Sequence, residues 1–156
     1  MPSIEIVCIG QSEPLDCAGW PFAIEASTKL ESHRSLDPRF QTDFDALSGC
    51  IYHLGNPELK GRSEGAFFAY ELLSDASQHA EPSGRLELCA DLAGAIFEFV
   101  EVLLDASPDS RLLFTSDWQF GPEHTLRLDA VTLTDFKRLH DTGALLLNAA
   151  YTIHVG

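Results

Sequence analysis

Apolar and polar residues alternate, or gather into short apolar runs, in both halves of the chain. Residues 4–9 form an apolar run that ends at Gly10, and the apolar side chains of residues 22–26 alternate around Glu25. Such patterns are typical of β-strands. We therefore predict two strands here, joined by a loop that contains glycine and proline, and a short strand over residues 85–89.

The last third of the chain carries the clearest alternation. Residues 111–115 are strand-like, and from Leu145 to Val155 the odd-numbered residues form an apolar row, as in a strand buried on one face. The alternation that starts at Leu126 changes phase at Asp129-Ala130, which predicts a bulge or bend. Residues 117–122 predict a hairpin connection.

Other segments have the three- and four-residue spacing of a helix. In residues 90–106, apolar residues share one side, and Ser107-Pro108 ends the pattern. A short helix is predicted from Phe40 to Leu54, and another that is capped by Thr134 and closed by Gly143. Residues 64–77 fit a helix or a strand, and we favour the helix.

Strands with a few interspersed helices, rather than a regular strand–helix repeat, indicate an α+β fold. The length of 156 residues suits one core, and no linker or internal repeat divides the chain. We predict a single domain over residues 1–156, with a mostly antiparallel sheet and about three short helices.

The chain is strongly acidic, with 24 Asp and Glu against 10 Lys and Arg and a net charge of −14. Negative charge disfavours binding to nucleic acid and to anionic lipid, whereas it favours a basic protein partner. No secretion signal and no membrane-spanning run is present, so we expect a cytoplasmic protein. Oligomeric state is left open.

The four cysteines do not form a Cys-x-x-Cys pair, and Cys8 and Cys89 lie in apolar strand-like runs. We expect buried free thiols rather than disulfides, as is usual for a domain of this size inside the cell. On a predicted helix, Cys50 and His53 would share a face and supply half of a zinc site. No second ligand pair accompanies them, so we predict neither a metal nor a cofactor.

Known catalytic motifs are absent, and the catalytic residues, if any, are unknown. Residues 141–144, Asp-Thr-Gly-Ala, resemble the active-site signature of retroviral-type aspartic proteases. In that family most of the fold follows the signature, whereas here 13 residues follow Gly143. We interpret Gly143 as the end of a helix instead.

Two features are candidate partner-binding sites. The first is an acidic stripe on the predicted helix over residues 90–106, which has no basic residue placed to relieve repulsion between its carboxylates. The second is a pair of aromatic residues at the predicted hairpin, which could anchor a partner. The candidate residues are Asp91, Glu98, Glu101 and Asp105 in the stripe, and Trp118 and Phe120 in the pair.

Two functions follow as hypotheses. The first is a non-catalytic acidic protein that binds a basic protein partner, a class that includes inhibitors and immunity proteins. The second is a small enzyme or ligand-binding domain whose histidines and carboxylates meet only in the fold. The candidate histidines for that site are His53, His124, His140 and His154.

Overall fold

In a computed structural model, the described residues of the protein include seven strands of one main sheet. The residues that this structure describes are 3–27, 49–55, 68–72, 84–88, 90–117, 126–127, 130–147 and 149–155. The strands of the main sheet are β1 (Ser3–Ile9), β2 (Ala23–Ser27), β3 (Gly49–Gly55), β6 (Arg111–Asp117), β7 (Leu126–Arg127), β8 (Val131–Thr132) and β10 (Ala149–His154).

The strand order of the main sheet is β2-β3-β1-β6-β10-β7, and β8 also pairs with β10. Strands β2, β3, β1, β6 and β10 pair antiparallel with their neighbours, whereas β7 and β8 both pair parallel with β10. The fold is therefore α+β with a mixed sheet, in which the antiparallel pairings predominate.

A second sheet has three strands in the order β4-β5-β9. Its strands are β4 (Phe68–Leu72), β5 (Gly84–Leu88) and β9 (Leu146–Leu147). Only residue 148 separates β9 from β10, so the chain passes from one sheet directly into the other. The predicted strand from Leu145 to Val155 is therefore divided between two sheets, and its last residue is exposed rather than buried.

Two helices, α1 (Ala90–Ala106) and α2 (Leu133–Asp141), pack on the same face of the main sheet. In α1, Phe99 contacts the ring of Tyr52 on β3, and in α2, Phe136 contacts the rings of Phe114 and Tyr151 on β6 and β10. One core cluster joins residues of both helices and both sheets. In the described part of the chain, neither helix has the length and apolar character needed to cross a membrane.

Part of the opposite face of the main sheet is buried as well. Val7, Ile51, Leu113 and Ala150 are at most 4% exposed, yet they point away from the helices because they alternate with the core residues along their strands. A strand that is buried on both faces loses the alternation that would identify it in the sequence.

The loss of alternation in such strands explains the main error of the sequence analysis. The helix predicted from Phe40 to Leu54 is wrong where it overlaps β3, and residues 40–48 lie outside the described residues. Cys50, Ile51, Tyr52 and Leu54 are all at most 4% exposed, so their apolar positions matched helical spacing by chance. The favoured helix over residues 64–77 is wrong where it overlaps β4, which contains the only residues of this range that the structure describes. About three helices were predicted, and the described residues contain two.

Two smaller corrections concern the last third. The connection over residues 117–122 does not join a hairpin, because β10 lies between β6 and β7 in the sheet. The cap of α2 is Thr132 rather than Thr134, and its hydroxyl accepts a hydrogen bond from the Asp135 amide at 3.1 Å.

Several predictions are confirmed. Strands occur at β1, β2, β5 and β6, and α1 has the predicted bounds. The registers on either side of the predicted phase change differ by one residue: Leu126 lies opposite Ala149 and Val131 opposite Ile153, so five positions from β7 to β8 match four along β10. Gly143 follows α2 with a φ of 71°, which suits glycine.

Candidate functional site

The exposed face of α1 carries the predicted acidic stripe. Glu98, Glu101 and Asp105 are exposed, and their spacing of three and four residues places them within about 60° of arc around the helix. Val102 lies beside them, about 40° beyond Glu98 around the helix, and is 44% exposed. Asp91 lies in the first turn of α1, and its side chain is outside the described part of the structure. We call Glu98, Glu101, Val102 and Asp105 the acidic face.

The carboxylates of the acidic face are not compensated by any cation in the part of the chain that the structure describes. Across the described ranges, no ion pair joins Glu98, Glu101 or Asp105 to a basic side chain, and the last turn of α1 has no basic residue. Arg111, which follows the helix, pairs with Asp109 at 3.5 Å. A carboxylate near the C-terminus of a helix is unfavourable because it meets the negative end of the dipole. These carboxylates therefore do not stabilise α1, and helix stability does not explain why acidic residues occupy this face.

The opposite side of α1 is held firmly in the core. Ile96, Phe99, Val100, Leu103 and Leu104 are at most 2% exposed. Phe99 is the centre of an aromatic cluster, with ring centroids 5.1 Å from Trp20, 5.8 Å from Phe22 and 5.7 Å from Tyr52. This packing fixes the direction in which the acidic face points.

The aromatic pair Trp118 and Phe120 lies outside the described residues, so its predicted role as an anchor stays a prediction.

The histidines that the structure describes lie in separate environments. The His53 Nδ1 atom lies 3.1 Å from Oε1 of Glu5 on the neighbouring strand. His140 Nε2 accepts a hydrogen bond from the Leu88 amide at 3.1 Å, and His154 Nδ1 lies 3.0 Å from the Val155 carbonyl oxygen. No described contact joins two histidines, and His124 lies outside the described residues. The geometry therefore gives no support to a shared histidine site.

The pKa of His53 is raised above its ordinary value of 6.5. The hydrogen bond to Glu5 is the largest cause, and the negative charges of Glu5 and Glu25 act in the same direction, whereas burial opposes them. Cross-strand pairing produces this arrangement, because Glu25 and Glu5 lie directly opposite His53 on its two sides.

A buried cluster of thiols and a phenol was not predicted from the sequence. Cys8 and Cys50 lie directly opposite each other on β1 and β3, and both are 0% exposed. The Tyr52 hydroxyl donates a hydrogen bond to Oε1 of Gln11 and accepts one from the Leu15 amide at 3.0 Å. The Cys50 thiol donates to the Gln11 carbonyl oxygen at 3.4 Å.

Burial keeps the groups of this cluster protonated. It raises the pKa of Cys8 to about 12, and it also raises the pKa of Cys17, Cys50 and Tyr52 above their ordinary values. Cys8, Cys17 and Cys50 are free thiols, as expected, while Cys89 lies outside the described residues. The pairing of Cys8 with Cys50 was not predicted because Cys50 was assigned to a helix, and a helical residue has no partner on a neighbouring strand.

The structure also shows that Cys50 and His53 do not form half of a zinc site. Cys50 and His53 are three residues apart on a strand, so they point to opposite faces of the sheet. Within the described ranges, no three His, Cys, Asp or Glu side chains are grouped closely enough to hold a metal ion.

The acidic face is therefore the candidate site that both the sequence pattern and the geometry identify. Comparison with known proteins adds no relative to this picture: no family model, curated protein or solved structure gives a significant match to the chain.

Proposed function

We propose that this protein is a non-catalytic interaction protein that binds a basic protein partner through the acidic face of α1. The observation that carries the proposal is the group of carboxylates at Glu98, Glu101 and Asp105, which have no ion pair within the described residues and lie beside the exposed side chain of Val102. Inhibitors and immunity proteins that neutralise a basic target are the subclass that fits this chemistry.

The arrangement suits recognition of a cationic surface. The carboxylates offer attraction to cationic side chains, and the neighbouring Val102 offers a small apolar contact. The net charge of −14 adds a long-range attraction that speeds the encounter with a basic protein. The partner would present Lys or Arg side chains next to an apolar residue that contacts Val102.

The rigid attachment of α1 supports the same proposal. Because Phe99 and Leu103 are at most 1% exposed, the helix is fixed before a partner arrives. A surface that is already ordered loses little conformational entropy on binding.

The experiment compares two variants of equal charge. Glu98→Lys with Glu101→Lys changes the acidic face, and Glu13→Lys with Glu25→Lys changes exposed carboxylates elsewhere. Each pair of substitutions adds four charges, so both variants have a net charge of −10 instead of −14. Each protein is used to capture partners from an extract of the native host, and the captured protein is then purified and its binding measured directly.

The proposal predicts that one basic protein binds the wild-type chain and the control variant, and that the acidic-face variant loses about tenfold or more in affinity. Equal loss in both variants would show that only total charge matters. Unchanged binding by the acidic-face variant would reject α1 as the docking surface.

A further inference from the structure

Cys8 and Cys50 are placed to react with each other. They lie directly opposite in the antiparallel pairing of β1 and β3, and both side chains belong to the core cluster on the same face of the sheet. We propose that Cys8 and Cys50 are a site of oxidative modification, at which a peroxide converts the two thiols into a cross-strand disulfide.

The backbone geometry allows this bond without a change of register. Residues directly opposite in an antiparallel pair have Cα atoms about 4.5 or 5.5 Å apart, depending on the position in the ladder. Disulfides join Cα atoms about 4.4–6.8 Å apart, so both ladder positions fall within that range. Rotation of the two side chains is therefore enough to bring the sulfur atoms together.

The loop of residues 10–22 covers the two thiols. Leu15, Cys17 and Trp20 pack from this loop against the core. The loop is held by the bonds of Gln11 and Leu15 to the Tyr52 hydroxyl and by the Cys50 thiol, which donates to the Gln11 carbonyl oxygen. Ser12, Glu13 and Pro14 are exposed, so the loop lies between the dithiol and the solvent.

The reaction balances as two steps. A thiolate of the pair attacks one oxygen of hydrogen peroxide, the O–O bond breaks, and a sulfenic acid and hydroxide form. The second thiol attacks the sulfenic sulfur and expels its oxygen as water, which forms the S–S bond. In total the two thiols lose two hydrogen atoms, that is two protons and two electrons, and one peroxide becomes two molecules of water.

Burial keeps the two thiols unreactive towards peroxide while the loop of residues 10–22 is closed. The raised pKa values of Cys8 and Cys50 keep both thiols protonated while the loop is closed, and only a thiolate attacks peroxide. Oxidation therefore proceeds through opening of the loop, and the rate depends on how often the loop opens.

The test is peroxide treatment of the purified chain followed by mass spectrometry of the intact protein and of its peptides. The proposal predicts the loss of two hydrogen atoms and a peptide link between Cys8 and Cys50. Cys8→Ala and Cys50→Ala abolish the link, whereas Cys17→Ala, the matched control, retains it. A link through Cys17 or Cys89, or oxidation of single cysteines without a link, would overturn the proposal.

A second variant tests the role of the loop and needs no cysteine substitution. Tyr52→Phe removes the hydroxyl that bonds to Gln11 and Leu15, so the loop opens more often and the disulfide forms about fivefold or more faster. Tyr151→Phe removes a hydroxyl that accepts from Leu146 instead and leaves the rate unchanged. Equal rates in the wild type and Tyr52→Phe would reject the loop as the cover.

Discussion

The Tyr52 side chain shows how much a single polar atom contributes in this core. Its ring is 0% exposed, and its hydroxyl bonds both to the Gln11 side chain and to the Leu15 amide. Tyr52→Phe leaves both partners without a bond, so we expect the free energy of unfolding to fall by about 1–3 kcal/mol. Urea unfolding monitored by circular dichroism measures the change.

Tyr151→Phe is the matched control for this prediction. The Tyr151 ring is also buried, but its hydroxyl has one described partner, the Leu146 amide at 2.8 Å. We therefore expect the free energy of unfolding to fall less for Tyr151→Phe than for Tyr52→Phe. A larger loss for Tyr151→Phe would contradict the importance given to the Gln11–Tyr52–Leu15 group.

His53 makes stability depend on pH. Its pKa is raised in the folded state, mainly by the hydrogen bond to Glu5. The contribution of protonated His53 is therefore complete below its ordinary pKa of 6.5 and is lost as the pH rises through the folded-state value. Because the pair is partly exposed, the effect is about 1 kcal/mol or less.

Comparison of the wild type with Glu5→Gln measures this contribution. The difference in unfolding free energy between the two proteins is expected to be larger at about pH 5.5 than at about pH 8.5, on either side of the ordinary histidine pKa. A difference that grows as the pH rises would contradict the assignment to His53.

At the scale of elements, the two sides of α1 have opposite roles. Phe99 is 1% exposed and contacts three aromatic rings, so Phe99→Ala is expected to lower the free energy of unfolding by about 3–5 kcal/mol. Val102→Ala, on the exposed face of the same helix, is expected to change it by about 0.5 kcal/mol or less. Chemical unfolding of both variants checks the difference, and a similar loss in both would contradict the orientation of the helix.

The N-terminus of α2 offers another comparison within one helix. Thr132→Ala removes the hydroxyl that accepts from the Asp135 amide and is expected to cost about 1 kcal/mol. Thr134→Ala removes an exposed hydroxyl inside the helix and is expected to have little effect. If thermal unfolding showed the greater loss for Thr134→Ala, the cap would have to be reassigned.

The amphipathic pattern of α1 was sufficient to predict its bounds, because one side faces the core and the other faces solvent. The pattern failed for β3, where the consecutive residues Cys50, Ile51 and Tyr52 point to alternate faces of the sheet and are all buried. The same error concealed the pairing of Cys8 with Cys50, since register between strands distant in sequence follows from tertiary contacts. The acidic stripe was predictable because it depends only on local helical spacing.

At the scale of the whole molecule, the excess of acidic residues is large, but binding is proposed at one face of one helix. Charge distributed evenly would attract any basic protein weakly, whereas the proposed site, carboxylates beside Val102 on one face of α1, would select a partner of complementary shape. Total charge and local arrangement are therefore separable by experiment.

The most direct test is the association rate constant of the purified partner, measured by stopped-flow fluorescence over a range of salt concentrations. For the wild type and for Glu13→Lys with Glu25→Lys, the account predicts fast association that slows steeply as salt screens the charges. For Glu98→Lys with Glu101→Lys, it predicts slow association with a weak dependence on salt. Identical salt dependence in all three proteins would contradict the claim that the acidic face of α1 binds the partner.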